Sequence, residues 1–210
     1  MYTLYGYKGS GSAAVEAALE LAGQAYLLKS AASWDDASAR AELRAANPLE
    51  QIPTLVLPDG SVLSESAAIL MHLGLVHPAA GLLPSDAAAR AQALRGLVFI
   101  AANCYAAISI IDYPQRWCEP ADDATNQRII AGARQRLHTH WDIFADLFTG
   151  GAAYLNGGTQ VGALDLLAAV VSKWSGARAH LEKSRPAFHA TLKRIEAEQH
   201  VQAVFARHWG

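Results

Sequence analysis

Hydrophobic and polar residues follow two different patterns along the chain, and the change lies near residue 77. In the first part, short runs rich in aromatic and β-branched residues alternate with runs in which apolar residues recur every three or four positions. The first kind of run is typical of strands and the second of amphipathic helices. The pattern predicts strands at residues 2–7, 25–29, 54–57 and 62–63 and helices at residues 13–22, 34–46 and 66–75. The order β-α-β-α-β-β-α favours a parallel β-α-β unit, followed by a β-hairpin and a last helix.

The second part of the chain has helical periodicity alone. A segment rich in proline and glycine at residues 78–85 is interpreted as a linker. After it, the pattern predicts helices at residues 87–109, 123–148, 162–174, 185–195 and 201–209. We therefore expect a first, α/β domain over residues 1–77 and a second, all-α helical-bundle domain over residues 86–210.

Composition and charge narrow the range of functions. The chain is 52% hydrophobic and 17% charged with a formal net charge of -2, which is typical of a globular protein and leaves no basic surface for nucleic acid. The N-terminus lacks the pattern of a signal peptide, and we expect no apolar run to be long enough to span a bilayer. Cys104 and Cys118 lack metal-ligand spacing and are expected to be reduced thiols. His138 and His140 point apart on a predicted helix, so we expect no metal site. We therefore expect a cytoplasmic protein with neither a nucleic-acid nor a membrane partner.

A proline opens one of the predicted strands, at Ile52-Pro53. A proline at this place cannot donate a hydrogen bond to the sheet, and it is either an ordinary trans proline or a cis proline. In the cis form, the preceding residue presents its N–H and C=O outward. A short peptide can then pair with that edge as an added strand.

The last helix of the first domain begins at Glu65-Ser66, directly after the predicted hairpin. Helix N-termini offer free N–H groups and a positive dipole, which suit a carboxylate. The Ser66 hydroxyl adds a donor, and Glu65 suits an ammonium group. An amino-acid moiety carries both charges, although serine is also common as a simple helix cap.

The order of these features resembles the cytosolic glutathione transferase family, bacterial type. A β-α-β unit and a helix precede Asn47-Pro48 and Gln51-Ile52-Pro53, a hairpin follows, and Glu65-Ser66 open the last helix. The resemblance covers nearly the whole chain and is strongest between residues 47 and 73. It implies an α/β thioredoxin-like N-terminal domain, an all-α C-terminal helical-bundle domain and a homodimer.

The resemblance also implies how glutathione is held. Ile52, before Pro53, would pair its backbone with the cysteinyl part, Glu65 and Ser66 would hold the γ-glutamyl end, and Gln51 would lie near the glycyl end. Glu50 stands where many members have glycine, and it is expected to bring an extra negative charge close to this end.

A second feature with which to test the resemblance lies in the C-terminal domain. The family commonly has a Ser or Thr and, three positions on, an Asp at the start of a buried helix. Here Asp165 follows Gly162, and we expect it to accept a hydrogen bond from the N–H of residue 162 in a structural role.

Glutathione transfer needs a thiolate, which a hydroxyl donor to the sulfur favours. In the family this donor is a Ser, Tyr or Cys just after the first strand. As the candidate donor we rank Ser10 first and Ser12 second, both in the loop after the first strand. Tyr5, in that strand, ranks third. The two serines indicate a serine class. In one alignment, Gly9 or Gly11 falls at the donor position instead. The serines are otherwise loop residues, with Ser12 capping the following helix.

The electrophile is expected between this loop and the first helices of the second domain. The candidate lining residues are Asn103, Tyr105, Tyr113, Arg116 and Trp117. The leading hypothesis is an enzyme that conjugates glutathione, as co-substrate, to small hydrophobic electrophiles in detoxification. The alternatives are a non-catalytic binding or scaffold protein and a glutathione-dependent isomerase, dehalogenase or ether-cleaving enzyme of the same fold.

Overall fold

The computed structural model describes the backbone of residues 1–210 and every side chain except that of Asn156. Its strands are β1 (Tyr2–Gly6), β2 (Tyr26–Ser30), β3 (Thr54–Val56) and β4 (Val62–Leu63). The helices of the first domain are α1 (Ser12–Leu21), α2 (Arg40–Ala46) and α3 (Ser66–Val76). Those that follow are α4 (Ala87–Phe99), α5 (Ala106–Asp112), α6 (Asp123–Phe148), α7 (Ala163–Val171), α8 (Ala177–Ser184), α9 (Pro186–Glu196) and α10 (Gln199–Trp209). Between α4 and α5 the helix continues as a wider π-helical stretch, Ile100–Tyr105.

The four strands form one sheet in the order β2-β1-β3-β4. β1 is parallel to β2, with Leu4 opposite Leu28, and antiparallel to β3, with Leu4 opposite Leu55. β3 and β4 form the hairpin. The prediction of a thioredoxin-like sheet followed by an all-helical domain is confirmed.

Two helices differ from the sequence prediction. The helix predicted at residues 34–46 begins only at Arg40, because the Ser38 hydroxyl bonds the backbone of Ala32 and Asp35 and holds that segment in a turn. The helix predicted to end at residue 174 ends at Val171, and α8, which was not predicted, begins after Gly176 with a φ of 80°.

The core of the second domain is built around α7, all nine residues of which are buried. α4 approaches α7 closely at Gly96, where a methyl group would lie 2.7 Å from Leu164 Cδ1. At its start, the buried Asp165 carboxylate accepts hydrogen bonds from the N–H groups of Gly162, at 3.0 Å, and Leu155, at 2.9 Å. The predicted bond to Gly162 is confirmed. Burial raises the pKa of Asp165 to about 7, against the lowering effect of these N–H donors.

The expectation that no apolar run is long enough to span a bilayer was wrong by length and composition. Residues 87–112 form one continuous helical run of 26 residues, which contains an 18-residue stretch with a mean hydropathy of 1.8. The run packs on α6 and α7 inside the second domain, so it is a core helix of the fold. Long buried helices pass the same hydropathy test because a protein core excludes water as a bilayer does.

The two domains meet where α1 packs on α7 and α10. The carboxylate of Glu16, on α1, is 1% exposed and bonds Arg207 and His208 of α10. His208 in turn accepts a hydrogen bond from the N–H of Gly9 at its Nδ1, at 3.1 Å. The last helix therefore supports the loop that follows β1.

Candidate functional site

A cavity of about 930 Å³ lies between the two domains. Its walls are the loop after β1, the segment before β3, the start of α3 and the region where α4 continues into α5. Its volume is in the range of pockets that enclose small molecules. Of the residues predicted to form the site, the cavity is lined by Ser10, Gln51, Ile52, Pro53, Glu65, Ser66, Tyr105, Tyr113 and Arg116.

Ile52 presents its backbone to the cavity. The Ile52-Pro53 bond is cis. Within the described part of the chain, neither the N–H nor the C=O of Ile52 makes a hydrogen bond. The neighbouring Gln51 carbonyl, by contrast, is held by the Thr54 hydroxyl at 2.8 Å and the Asn47 amide at 3.2 Å. The free pair of groups on Ile52 can therefore accept an extended peptide.

The start of α3 faces the same cavity. Glu65 precedes the helix with a φ of 66°, an uncommon conformation for a residue with a side chain. No side chain caps the first turn of α3, so its N–H groups are open to a ligand. The Glu65 carboxylate makes no salt bridge with any described side chain. A carboxylate acceptor and a set of N–H donors thus stand side by side, as an amino-acid moiety requires.

The charge of Glu50 is compensated. Arg40 bonds its carboxylate at 3.0 Å, and Arg44 bonds the other oxygen. Hydrogen bonds from Arg44 and Arg40 hold the pKa of Glu50 below its usual range. Its φ of 53° is a conformation that glycine adopts more readily than a residue with a side chain. The extra negative charge expected from the sequence is therefore neutralised, and Arg40 itself lines the cavity.

The three hydroxyls proposed as thiol donors lie in different places. Ser10 lines the cavity, but its oxygen is turned into its own loop, where it accepts from the N–H groups of Tyr7 and Ser12. Ser12 is fully buried, with its oxygen 2.9 Å from that of Ser10. Tyr5 is 7% exposed and packs against Ala31 and Leu43, away from the cavity.

Of the residues predicted to line the electrophile pocket, some line the cavity and others lie outside it. Tyr105 and Tyr113 line the cavity, and Arg116 lies over the Tyr113 ring at 3.9 Å. Asn103 does not line it, because its amide donates back to the Phe99 carbonyl. Trp117 lies outside it and is 59% exposed, beyond the turn at Pro114 that ends α5.

Several lining residues carried no signal that sequence reasoning could use. They are Lys8 and Trp34 in loops, Arg40 at the start of α2, Asp112 at the end of α5, and Trp174 between α7 and α8. Trp174, the last residue of the helix predicted at residues 162–174, was the one visible hint, because large aromatic residues often line pockets.

Burial raises the pKa of the Cys104 thiol, so this residue is no nucleophile at neutral pH. Among the described residues, no group of three His, Cys, Asp or Glu side chains is arranged to hold a metal ion.

Comparison with known proteins agrees with this geometry. Residues 12–74 match the family described as "Glutathione S-transferase, N-terminal domain". The chain is 34% identical over 132 residues to the uncharacterized GST-like protein YncG of Escherichia coli (strain K12), which covers 62% of this chain and 63% of that protein. It is 38% identical over 91 residues to a probable maleylacetoacetate isomerase of Caenorhabditis elegans, which covers 43% and 42%. These matches span less than two thirds of either curated relative.

The solved structures extend the likeness to both domains. A glutathione transferase homolog from Sulfitobacter, solved with bound glutathione, superimposes with a TM-score of 0.84 at 25% identity and covers 97% of this chain and 96% of that one. The chain therefore has the two-domain fold of the glutathione transferases, and its first domain matches the glutathione S-transferase N-terminal domain family over residues 12–74.

Proposed function

We propose that this protein is a glutathione transferase, which conjugates the thiolate of glutathione to small hydrophobic electrophiles. The observation that carries the proposal is that Ile52, Glu65 and the uncapped start of α3 line one cavity. The tripeptide backbone would pair with Ile52. Its γ-glutamyl carboxylate would bind the N–H groups at Ser66, and its ammonium group would face Glu65.

The opposite wall of the cavity supports a second, apolar substrate. Ile108, Tyr105, Tyr113 and Trp174 present aliphatic and aromatic surface there. At the glycyl end, Gln51 and Arg40 offer donors to a carboxylate. Of the first-domain hydroxyls, Ser10 remains the candidate for contact with the thiol, because it alone of the three lines the cavity.

Calorimetry with glutathione tests the binding. We expect the wild-type protein to bind, and Glu65→Gln to weaken the affinity about tenfold because a charge-assisted hydrogen bond to the ammonium group is lost. Glu182→Gln, at an exposed carboxylate on α8, is the matched control and should bind as the wild type does. A wild-type protein that does not bind glutathione would overturn the proposal.

A conjugation assay with 1-chloro-2,4-dinitrobenzene then tests the reaction. Turnover that saturates in both substrates supports a transferase. Tight binding of glutathione without turnover of any of a panel of electrophiles would instead favour the non-catalytic alternative.

Two observations favour an isomerase as the second candidate. The similarity to a probable maleylacetoacetate isomerase covers 91 residues, and the cationic side chains of Lys8 and Arg116 line the cavity. These charges suit a substrate that carries carboxylates. Glutathione-dependent cis-trans isomerisation of an unsaturated diacid, measured by ultraviolet absorbance, distinguishes the two activities.

We also propose a cytoplasmic homodimer. Cys104 and Cys118 are free thiols, as a reducing compartment allows. The outer faces of α4 and α6 expose Val98, Ile143 and Leu147 by 54%, 43% and 47%. A second copy of the chain would cover these side chains. Light scattering after size-exclusion chromatography would show the dimer, and Ile143→Glu would shift it toward monomer.

A further inference from the structure

The hydroxyl of Tyr105 occupies the space beside Gly11. A methyl group on Gly11 would lie 2.0 Å from the Tyr105 hydroxyl oxygen and 3.6 Å from Pro53 Cδ. The backbone of Gly11 has a φ of -61°, which any residue adopts easily. Glycine is therefore required here by the close approach of the phenol and not by the backbone conformation.

This arrangement matters because position 11 adjoins the expected place of the thiol. The cysteinyl part of glutathione would pair with Ile52, and the γ-glutamyl part would lie at Ser66. Pro53 and Gly11 line the same cavity, and the side chain between these two anchors would extend toward them. A residue with a hydroxyl at position 11 would contact the sulfur. Because glycine has no side chain, the Tyr105 hydroxyl of the second domain occupies that space instead.

The phenol is well held and keeps its proton. Tyr105 ends the π-helical stretch, and its ring packs on Trp174 with 5.7 Å between the centroids. π-Helical turns often mark functional positions. Burial raises the pKa of Tyr105 to about 12, the hydrogen bond with Ser66 opposes that rise, and the charge of Glu65 adds to it. The hydroxyl is thus neutral and able to donate throughout the physiological range.

The serines of the first domain are less free to donate. The Ser10 oxygen accepts from the N–H groups of Tyr7 and Ser12, while the Ser12 hydroxyl is directed at the Tyr7 carbonyl. With the two serine oxygens 2.9 Å apart, the protons of this pair are used inside the loop.

We propose that the Tyr105 hydroxyl donates a hydrogen bond to the sulfur of bound glutathione and so stabilises its thiolate. The thiol proton leaves to water in the cavity, and the phenol retains its own proton. This inference rests on the proposed function, because it requires glutathione to occupy the site. It assigns to the second domain a role that the sequence had suggested for Ser10, Ser12 or Tyr5.

The test is a titration of the bound thiol, followed by the ultraviolet absorbance of the thiolate in the protein–glutathione complex. In Tyr105→Phe we expect the pKa of the bound thiol to rise by about one unit or more and kcat/KM for 1-chloro-2,4-dinitrobenzene to fall about 10–100-fold. The Kd for glutathione should change less than about threefold, because the anchors at Ile52 and Ser66 remain.

Two further variants make the test specific. Tyr154→Phe removes the hydroxyl of a half-buried tyrosine outside the cavity and should titrate as the wild type does. Gly11→Ser combined with Tyr105→Phe places a hydroxyl on the vacated side of the same space, and we expect it to lower the thiol pKa again relative to Tyr105→Phe alone.

The outcomes separate the two proposals. If the wild type binds glutathione and Tyr105→Phe leaves the thiol pKa unchanged, the role of Tyr105 is refuted while the proposed function stands. If Ser10→Ala raises the thiol pKa and Tyr105→Phe does not, the donor is Ser10. If the wild type does not bind glutathione at all, both proposals fall.

Discussion

The contact between α1 and α10 allows a quantitative prediction for Glu16→Gln. The Glu16 carboxylate is 1% exposed and accepts from Arg207 Nε at 2.8 Å and His208 Nε2 at 3.2 Å. Hydrogen bonds to charged groups contribute about 1.5–3 kcal/mol each. The side chain of Arg207 is 48% exposed and regains water, and glutamine retains one acceptor oxygen. We therefore expect the net loss of a single strong hydrogen bond, about 1.5–3 kcal/mol.

The assay is thermal unfolding followed by circular dichroism at neutral pH. For a chain of this size, each kcal/mol lowers Tm by about 2–4 °C, so Glu16→Gln should unfold roughly 3–12 °C below the wild type. The matched control is Glu182→Gln, at an exposed carboxylate on α8, which should unfold within about 1 °C of the wild type.

The pH dependence gives a second, independent measurement. Burial tends to raise the pKa of Glu16, but hydrogen bonds from His208 and Arg207 outweigh burial and lower it below the ordinary 4.5. A carboxylate whose pKa is lower in the folded state stabilises the fold above its unfolded pKa and loses that effect as the pH falls through the folded pKa. The difference between wild type and Glu16→Gln should therefore be constant above about pH 5 and shrink in more acidic solution.

Two results would refute this reasoning. One is an unfolding temperature of Glu16→Gln within about 1 °C of the wild type. The other is a difference between the two proteins that stays the same as the pH falls well below 4.5, since that difference would then not depend on the charge of Glu16.

Three further predictions concern packing and charge. Asp165→Ala should cost about 2–4 kcal/mol in chemical denaturation, because two N–H groups lose their acceptor, and a free energy of unfolding that does not respond to this variant would contradict the assignment. Since burial raises the pKa of Asp165 to about 7, this carboxyl makes the wild type progressively less stable as the pH rises from about 4 to 7, and Asp165→Ala should lose that slope. Gly96→Ala should cost about 1–3 kcal/mol in the same measurement, because its methyl group meets Leu164 at 2.7 Å; the exposed Gly132→Ala, in the middle of α6 with open space around it, should be neutral or stabilising. Arg40→Ala should weaken glutathione binding more than Arg44→Ala, because Arg40 lines the cavity and Arg44 does not. Equal effects of the two variants on the Kd would show that both arginines act through Glu50 alone.

The parts of the site that lie close together in sequence could be predicted. Ile52 and Pro53 come directly before a strand, and Glu65 and Ser66 stand at the start of a helix, so the pattern marks both segments as candidate binding backbones. Their local geometry depends on neighbouring residues, and turn and capping chemistry make that geometry visible in the sequence.

The contacts between domains could not be predicted in the same way. Gly11 and Tyr105 are far apart in sequence, and their approach depends on how the helices of the second domain pack on α1. The sequence placed Tyr105 and Asn103 together in a pocket, yet the two side chains diverge, because that of Asn103 folds back on its own helix. The π-helical stretch that orients Tyr105 has no periodicity signal of its own.

The close approach of Tyr105 to Gly11 also constrains how this protein can diverge. A side chain at position 11 and a tyrosine at position 105 exclude each other, so neither residue can change freely while the other stays. Homologues should therefore show correlated substitutions at these two positions, with serine or cysteine at position 11 accompanied by a shorter residue at position 105. In some homologues the donor to the thiol would then lie in the first domain, at position 11, and in others in the second domain, at position 105. The peptide-binding edge at Ile52 would be the same in both.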